Sequence, residues 1–190
     1  MKKIIAMLLA VMLVASMAAC GNKAPAATDP TEPVPASALE ILEKVWGSYA
    51  DEEKFFVFGG NMGENAVMDA PGAFDLTDTD GLTYTLLVPE AQAANIDGAA
   101  SLIHGMLANN FTCGVFHVTG DVKAFGEAMK DAVMNNQWMC GMPEKVLVTV
   151  VGGEYVLMAF GIGDAINPFQ SKLAAAYPAA EQLYFEDLVQ

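Results

Sequence analysis

Two stretches in the second half of the chain are apolar on both sides rather than on one. In FTCGVFHV, residues 111–118, one side carries Phe111, Cys113, Val115 and His117, and the other carries Thr112, Gly114, Phe116 and Val118. In residues 155–160, Tyr155, Leu157 and Ala159 alternate with Val156, Met158 and Phe160. A strand with one wet face alternates apolar with polar residues. These strands do not, so the sheet they build has to be covered on both faces. A bare face would expose roughly several hundred Å² of apolar surface, more than a soluble monomer usually tolerates.

The surrounding sequence supplies the covering elements. Residues 37–50 read as a helix, with Ser37 as cap and Leu39, Leu42, Val45 and Trp46 on one face. A short strand at 55–58 runs into a long loop rich in glycine and acids, and LTYTLLV, 82–88, reads as a strand. The spacing of Ile96, Ala99, Ala100, Ile103 and Leu107 predicts a helix that ends at Asn109 and Asn110. After the strand at 111–118 comes an amphipathic helix with Val122, Phe125, Met129, Ala132 and Val133 inward. Residues 145–162 form a hairpin turning at Gly152-Gly153. Asn167 and Pro168 predict the start of a helix, and an edge strand closes the chain.

From Phe111 the order is β-α-β-β-α-β. The expected class is therefore α+β: a ferredoxin-like split-βαβ antiparallel sheet over residues 111–187 with two helices on one face. Residues 38–108 form an N-terminal α-β-α extension. That extension is the expected cover for the second face, through Leu42, Val45, Trp46, Ile103 and Leu107.

The start of the chain indicates location. Lys2 and Lys3 precede 16 residues, 4–19, that are apolar apart from Ser16. A spanning helix needs about 20. A charged start, a short apolar core and small residues before a cut point describe a secretory signal. Ala18 and Ala19 are followed directly by Cys20, as in a bacterial lipobox, with Met17 where such boxes usually hold Leu. Residues 1–19 are thus expected to be a lipoprotein signal peptide, cut between Ala19 and Cys20, with Cys20 diacylated. Each buried CH₂ adds about 0.8 kcal/mol, so two acyl chains hold a membrane far better than one. Residues 20–37 carry four prolines and no aromatic residue. They form a tether whose reach, at about 3.1 Å per residue, is on the order of 50 Å. Residues 38–190 suit a single domain.

Charge narrows the partners. The chain has 9 lysines, no arginine and 23 acidic residues, a formal net charge of −14. Arginine is the usual reader of phosphate and carboxylate. A nucleic-acid partner is excluded on this balance. Unaided docking onto an anionic bilayer is disfavoured as well, which makes a lipid anchor more necessary.

The segments AASLIHGMLANNFTCGVFH, QWMCGMPEKV and GGEYVLMAFG, behind the lipobox, resemble a group of small lipoproteins of anaerobic Gram-positive bacteria. The resemblance spans most of the mature chain. It implies surface anchoring and one compact domain, and it brings no substrate and no catalytic residue.

Each candidate site also has a plain structural role. Cys113 and His117 share a face of one strand but are roughly 13 Å apart along it, too far to share a zinc ion. His104 is expected near the start of that strand, close to Cys113 alone. No metal site is predicted. In DLTDTDG, residues 75–81, setting Asp80 at the fifth position of an EF-hand loop puts Leu76 and Leu87 at the first and twelfth, where ligands are required. A polar turn with capping acids is the better reading. FGGNMG, 58–63, lacks the lysine of a phosphate loop. WMCGMP, 138–143, offers the soft ligands Met139, Cys140 and Met142, but packing of this loop under the sheet is the stronger reading. A Cys113–Cys140 disulfide is an option in an oxidising compartment. In the expected sheet another strand lies between them, and a disulfide needs Cα atoms within about 7 Å. No nucleophile motif with a paired base occurs, and no cofactor is called for.

The function expected from these residues is a non-catalytic binding or interaction module, lipid-anchored on the outer face of the cytoplasmic membrane. Its partner would be a protein, a wall component or a small ligand. The alternative is a small extracytoplasmic enzyme using His104 or His117.

Overall fold

The computed structural model describes residues 34–188. The expected signal peptide, Cys20 and nearly all of the tether lie outside the described residues. No helix among them is long and apolar enough to cross a membrane.

The domain is α+β, built on one eight-stranded antiparallel sheet. In chain order the elements are α1 (Ala38–Gly47), β1 (Val57–Gly59), β2 (Val67–Met68), β3 (Gly72–Phe74), β4 (Ile96–His104), β5 (Phe111–Val118), α2 (Val122–Met134), β6 (Lys145–Val151), β7 (Tyr155–Gly161), α3 (Gly163–Ala176) and β8 (Glu181–Asp187). The strands lie in the order β2-β1-β4-β5-β7-β6-β8, with β3 also paired to β4. Central β5 pairs on both sides: Cys113 faces Leu102 of β4 and Ala159 of β7.

Both faces are covered, as the doubly apolar strands require. On the first, α1 (Ile41, Leu42, Val45, Trp46) and α3 (Ala165, Ile166, Phe169, Leu173) bury Leu102, Phe111, Cys113, Val115, Leu147 and Leu157. On the second, α2 (Phe125, Met129, Val133) and the segment 74–88 (Phe74, Leu82, Leu86, Val88) bury Phe116, Val146, Val148, Val156, Met158 and Phe160.

The division of labour differs from the split-βαβ expectation. α2 and α3 lie on opposite faces, not on one. The cause is topological. The slot beside β5 is taken by β4, so β8 travels to the other edge and pairs with β6. Crossovers between parallel strands are right-handed. The crossovers β5-α2-β6 and β7-α3-β8 move across the sheet in the same direction from strands that run oppositely. One handedness then places their helices on opposite faces.

Two further elements depart from the sequence reading. Residues 96–107 are not a helix: β4 runs through Ile96–His104 and sits inside the sheet. Short apolar runs satisfy helical and strand patterns alike, and here Ala99, Ala100 and Ser101 are buried with neighbours on both sides. LTYTLLV is not a strand either. Gly81–Thr85 forms a π-type helical turn, with Asp78 Oδ1 accepting from Gly81 N at 2.8 Å. Burial overrides its β propensity, and Leu82, Leu86 and Val88 cap the second face instead.

Smaller corrections concern ends. The short strand is Val57–Gly59 rather than 55–58, and the following loop holds β2 and β3. Gly59 and Gly72 allow backbones to meet there, since a Cβ on Gly59 would lie 2.1 Å from Gly72 N. Helix α3 begins at Gly163, so Asn167 is not its cap and Pro168 lies inside it. Glu144 Oε2 accepts from Gly163 N at 2.7 Å and serves that end from another loop. By contrast Ser37 caps α1 as expected, accepting from Glu40 N at 3.1 Å. The hairpin turn at Gly152-Gly153 also stands, with φ of +62° and +79°.

Candidate functional site

The two ends of the sheet are chemically different. At one end the described chain comes in. Val34 and Pro35 lie against the β6–β7 turn, where a Cβ on Gly152 would come within 2.8 Å of Pro35 Cδ. His117, near the end of β5, sits at this same end between two carboxylates. Its Nδ1 makes a short hydrogen bond with Asp97 Oδ1, and its Nε2 lies 3.7 Å from Glu154 Oε2. Asp97 stands where the β4–β5 register shifts between Ile96 and Gly98. The ring tilts against Tyr155, centroids 5.0 Å apart. The Asp97 hydrogen bond, helped by the charges of Asp97 and Glu154, raises the imidazole's affinity for its proton.

A histidine held by one carboxylate resembles the orienting half of a general base. Here the second nitrogen faces another carboxylate rather than a nucleophile. An open depression of about 450 Å³ adjoins it, lined by Ser37, Leu39, Gly98 and Tyr155 among others. The Ser37 hydroxyl in it already accepts the α1 capping bond. The imidazole works as a clamp joining β4, β5 and the β6–β7 turn.

His104 is occupied differently. Its Nδ1 accepts from Met106 N (3.1 Å) and Leu107 N (3.2 Å), and the ring stacks on Phe55 at 5.3 Å. An accepting Nδ1 leaves the proton on Nε2. The ring therefore caps the β4–β5 turn.

Cys113 and Cys140 are both free. Cys113 is fully buried under α1 and α3, and burial pushes its thiol well up. Cys140 is exposed in the connection between α2 and β6, with φ of +61°. The optional disulfide is not formed.

The acids at 75–81 act as local caps. Asp75 Oδ1 accepts from Thr77 N (2.9 Å) and Thr77 Oγ1 (2.7 Å), and Asp78 Oδ2 accepts from Asn61 Nδ2 (3.0 Å). These bonds hold both carboxyls below their usual range, through Thr77 N–H first for Asp75 and Asn61 first for Asp78. In the loop 58–63, Gly60 O accepts from the buried Ser101 hydroxyl at 2.8 Å, so that loop is tied to β4. Among the described residues, no group of three or more His, Cys, Asp or Glu side chains is placed to hold a metal ion.

A second concavity lies at the opposite end of the sheet, on the second face. It is a groove of about 960 Å³ between the 83–89 segment, α2 and the residues following α2. Leu87, Val88, Ala128, Ala132 and Phe160 contribute apolar walls, and Asp131 is the one charged lining residue. Trp138 packs on Phe160 with centroids 5.0 Å apart, and its buried indole N–H has no acceptor among the described residues. Tyr84 and Met139 stand at the lip, 78% and 80% exposed. Asn109 Nδ2 donates to Met139 O (2.8 Å) and Gly141 O (2.7 Å), which fixes the 139–141 loop to the β4–β5 turn.

The sequence reading treated WMCGMP as packing. That holds for Trp138 and Met142, which pack on the second core, and not for Met139 and Cys140. A groove between residues 38–108 and the sheet is where the sequence places a ligand or partner, but the walls of this one were not legible, because the 83–89 segment that forms one of them reads as a strand. Comparison of the chain with family profiles, curated proteins and solved structures gave no match in any of the three.

Proposed function

We propose that the chain is a lipid-anchored binding module on the outer face of the cytoplasmic membrane, with Cys20 as the lipidated residue and the groove beside Trp138 as its binding site. The observation that carries the binding reading is the position of the groove. It opens at the end of the sheet opposite to the one where Val34 and Pro35 approach the β6–β7 turn. Strands of seven or eight residues at about 3.3 Å each separate the two ends by roughly 25 Å. A tether attached at one end leaves the other turned outward. Large, mostly apolar concavities with a few polar groups are the usual form of a binding site.

The alternative, a small extracytoplasmic enzyme, draws on the Asp97–His117 hydrogen bond. It lacks a nucleophile opposite Nε2, where Glu154 stands.

One experiment separates the readings. The protein, purified in a nonionic detergent, is titrated by NMR with short peptides, wall-sugar fragments and acyl chains. The binding reading expects the largest shifts at Trp138, Met139 and Tyr84, with every probe recovered intact. Shifts centred on Asp97, His117 and Tyr155, with a probe converted to product, would overturn it.

A further inference from the structure

The groove has a lip and a floor, and the rest of the surface selects what fills it. All six lysines of the described residues are engaged within the chain. Lys54 pairs with Asp51, Lys123 with Glu181, Lys130 with Asp131, Lys145 with Asp187 and Lys172 with Glu53, while Lys44 lies over the Tyr177 ring at 4.0 Å. The sequence has no arginine and a formal net charge of −14. An approaching molecule therefore meets an excess of carboxylates and no unengaged lysine on the described surface. Such a field draws in cationic partners and raises their association rate.

The lip is adaptable. Met139 and Met106 are each 80% exposed, and Met106 stands in the β4–β5 turn close to Ala108 and Asn109, which line the groove. Unbranched, polarisable thioethers repack around apolar side chains of varied shape. Trp and Tyr are the residues that most often anchor protein interfaces. Asn136 and Gln137 also line the groove, and their amide groups can donate to and accept from a peptide backbone.

We propose that the groove takes a basic amphipathic helix from a partner protein. This rests on the groove being the binding site. The apolar stripe of the helix lies on the half-buried Leu87, Ala128, Ala132 and Trp138. Its lysines and arginines face outward, toward Asp131 and toward exposed Glu127 one turn earlier on α2. A second copy of this chain is a poor occupant, since two molecules at −14 repel.

The test uses the detergent-purified protein and three synthetic 14-residue peptides. One carries Leu and Lys at helical spacing. The second replaces each Lys by Glu. The third keeps the first composition in strict alternation. The readout is the two indole N–H resonances and the methionine methyls. The indole of Trp46, bonded to Asp69 O on the far side of the sheet, serves as internal control. The helical basic peptide should move Trp138 and Met139 saturably and leave Trp46 still. Its affinity should fall at least tenfold between 0.05 and 0.5 M salt, and the other two peptides should bind at least tenfold more weakly. Tyr84→Ser with Met139→Ser should weaken it about tenfold in a protein whose spectrum is otherwise unchanged. Equal binding of the acidic peptide, shifts scattered over the surface, or Trp138 shifts that depend on protein concentration alone would overturn the proposal. An oligosaccharide that moves Trp138 where the basic helix does not would sink the helix and keep the groove as a binding site. If no probe in either titration moves Trp138, the binding reading falls with it.

Discussion

Replacing His117 by Gln tests the clamp at the end of the sheet where Val34 and Pro35 approach the β6–β7 turn. In the folded protein the imidazole binds its proton more tightly than the ordinary value of 6.5, chiefly through the Asp97 hydrogen bond and further through Glu154. An unfolded histidine titrates near 6.5. A raised folded-state value means the clamp contributes fully below about 6.5 and is lost as pH rises through the folded value. The gain is modest. The His117 side chain is 31% exposed and both carboxylate partners are 61% exposed, so solvent screens the pairs. Exposed ion pairs give about 0.2–1 kcal/mol each, which sets the expected total near 1 kcal/mol. For a domain of this size that corresponds to about 2–4 °C in Tm. The assay is a set of urea melts of wild type and His117→Gln from pH 5.5 to 9.5. The stability difference should be about 1 kcal/mol at pH 5.5 and shrink toward zero at the alkaline end. A difference that is constant, or that grows with pH, refutes the reasoning. Asp97→Asn should reproduce most of the loss with the same pH dependence.

Other outcomes follow from single contacts. Gly59→Ala drives a Cβ into the backbone of residues 70–72 and should cost about 2–3 kcal/mol in a urea melt, or prevent folding of the β1–β3 corner. In a Cys20→Ala chain, a thiol reagent should label Cys140 rapidly under native conditions and Cys113 only on unfolding, so two fast thiols would contradict the buried site. Phe169→Ala empties a fully buried position between α3 and Phe111 and should cost about 3–5 kcal/mol. Radiolabelled palmitate should mark the wild type and not Cys20→Ala, and equal labelling would remove the lipid anchor from the proposed function.

The elements legible in the sequence were those whose signal is local. Ser37 is a cap wherever helix α1 packs. Gly152-Gly153 turns a hairpin in any sheet. Phe111–Val118 is apolar on both sides, so it had to be central and doubly covered. The misread segments were decided from a distance. Ile96–His104 holds a pattern that suits a helix equally well, and only the vacant side of β5 makes it a strand. LTYTLLV has the composition of a strand, and only the occupation of that side by β4 turns it into a cover. The opposite placement of α2 and α3 follows from the same fact. Both histidines are visible in the sequence as candidates, but their roles rest on turn geometry or on partners 20 or more residues away, such as Asp97 and Glu154 for His117. The groove needs three segments to be placed before it exists at all.

The opposite placement of the two helices has a consequence in time. A chain leaving the ribosome presents its N-terminal part first. β4 and β5 are neighbours in sequence and can pair as soon as both have emerged. Their first face then has α1 to lean on, but α3, which completes that cover, comes after both β6 and β7. The second face has the 74–88 segment early and α2 soon after. One side of the nascent sheet is thus closed before the other, and the last strand, β8, arrives at an edge already faced with β6. Edges of that kind are where stray chains add on. Glu181, Glu186 and Asp187 in the closing strand leave the finished edge acidic, so the interval of vulnerability ends when residues 181–187 are seated.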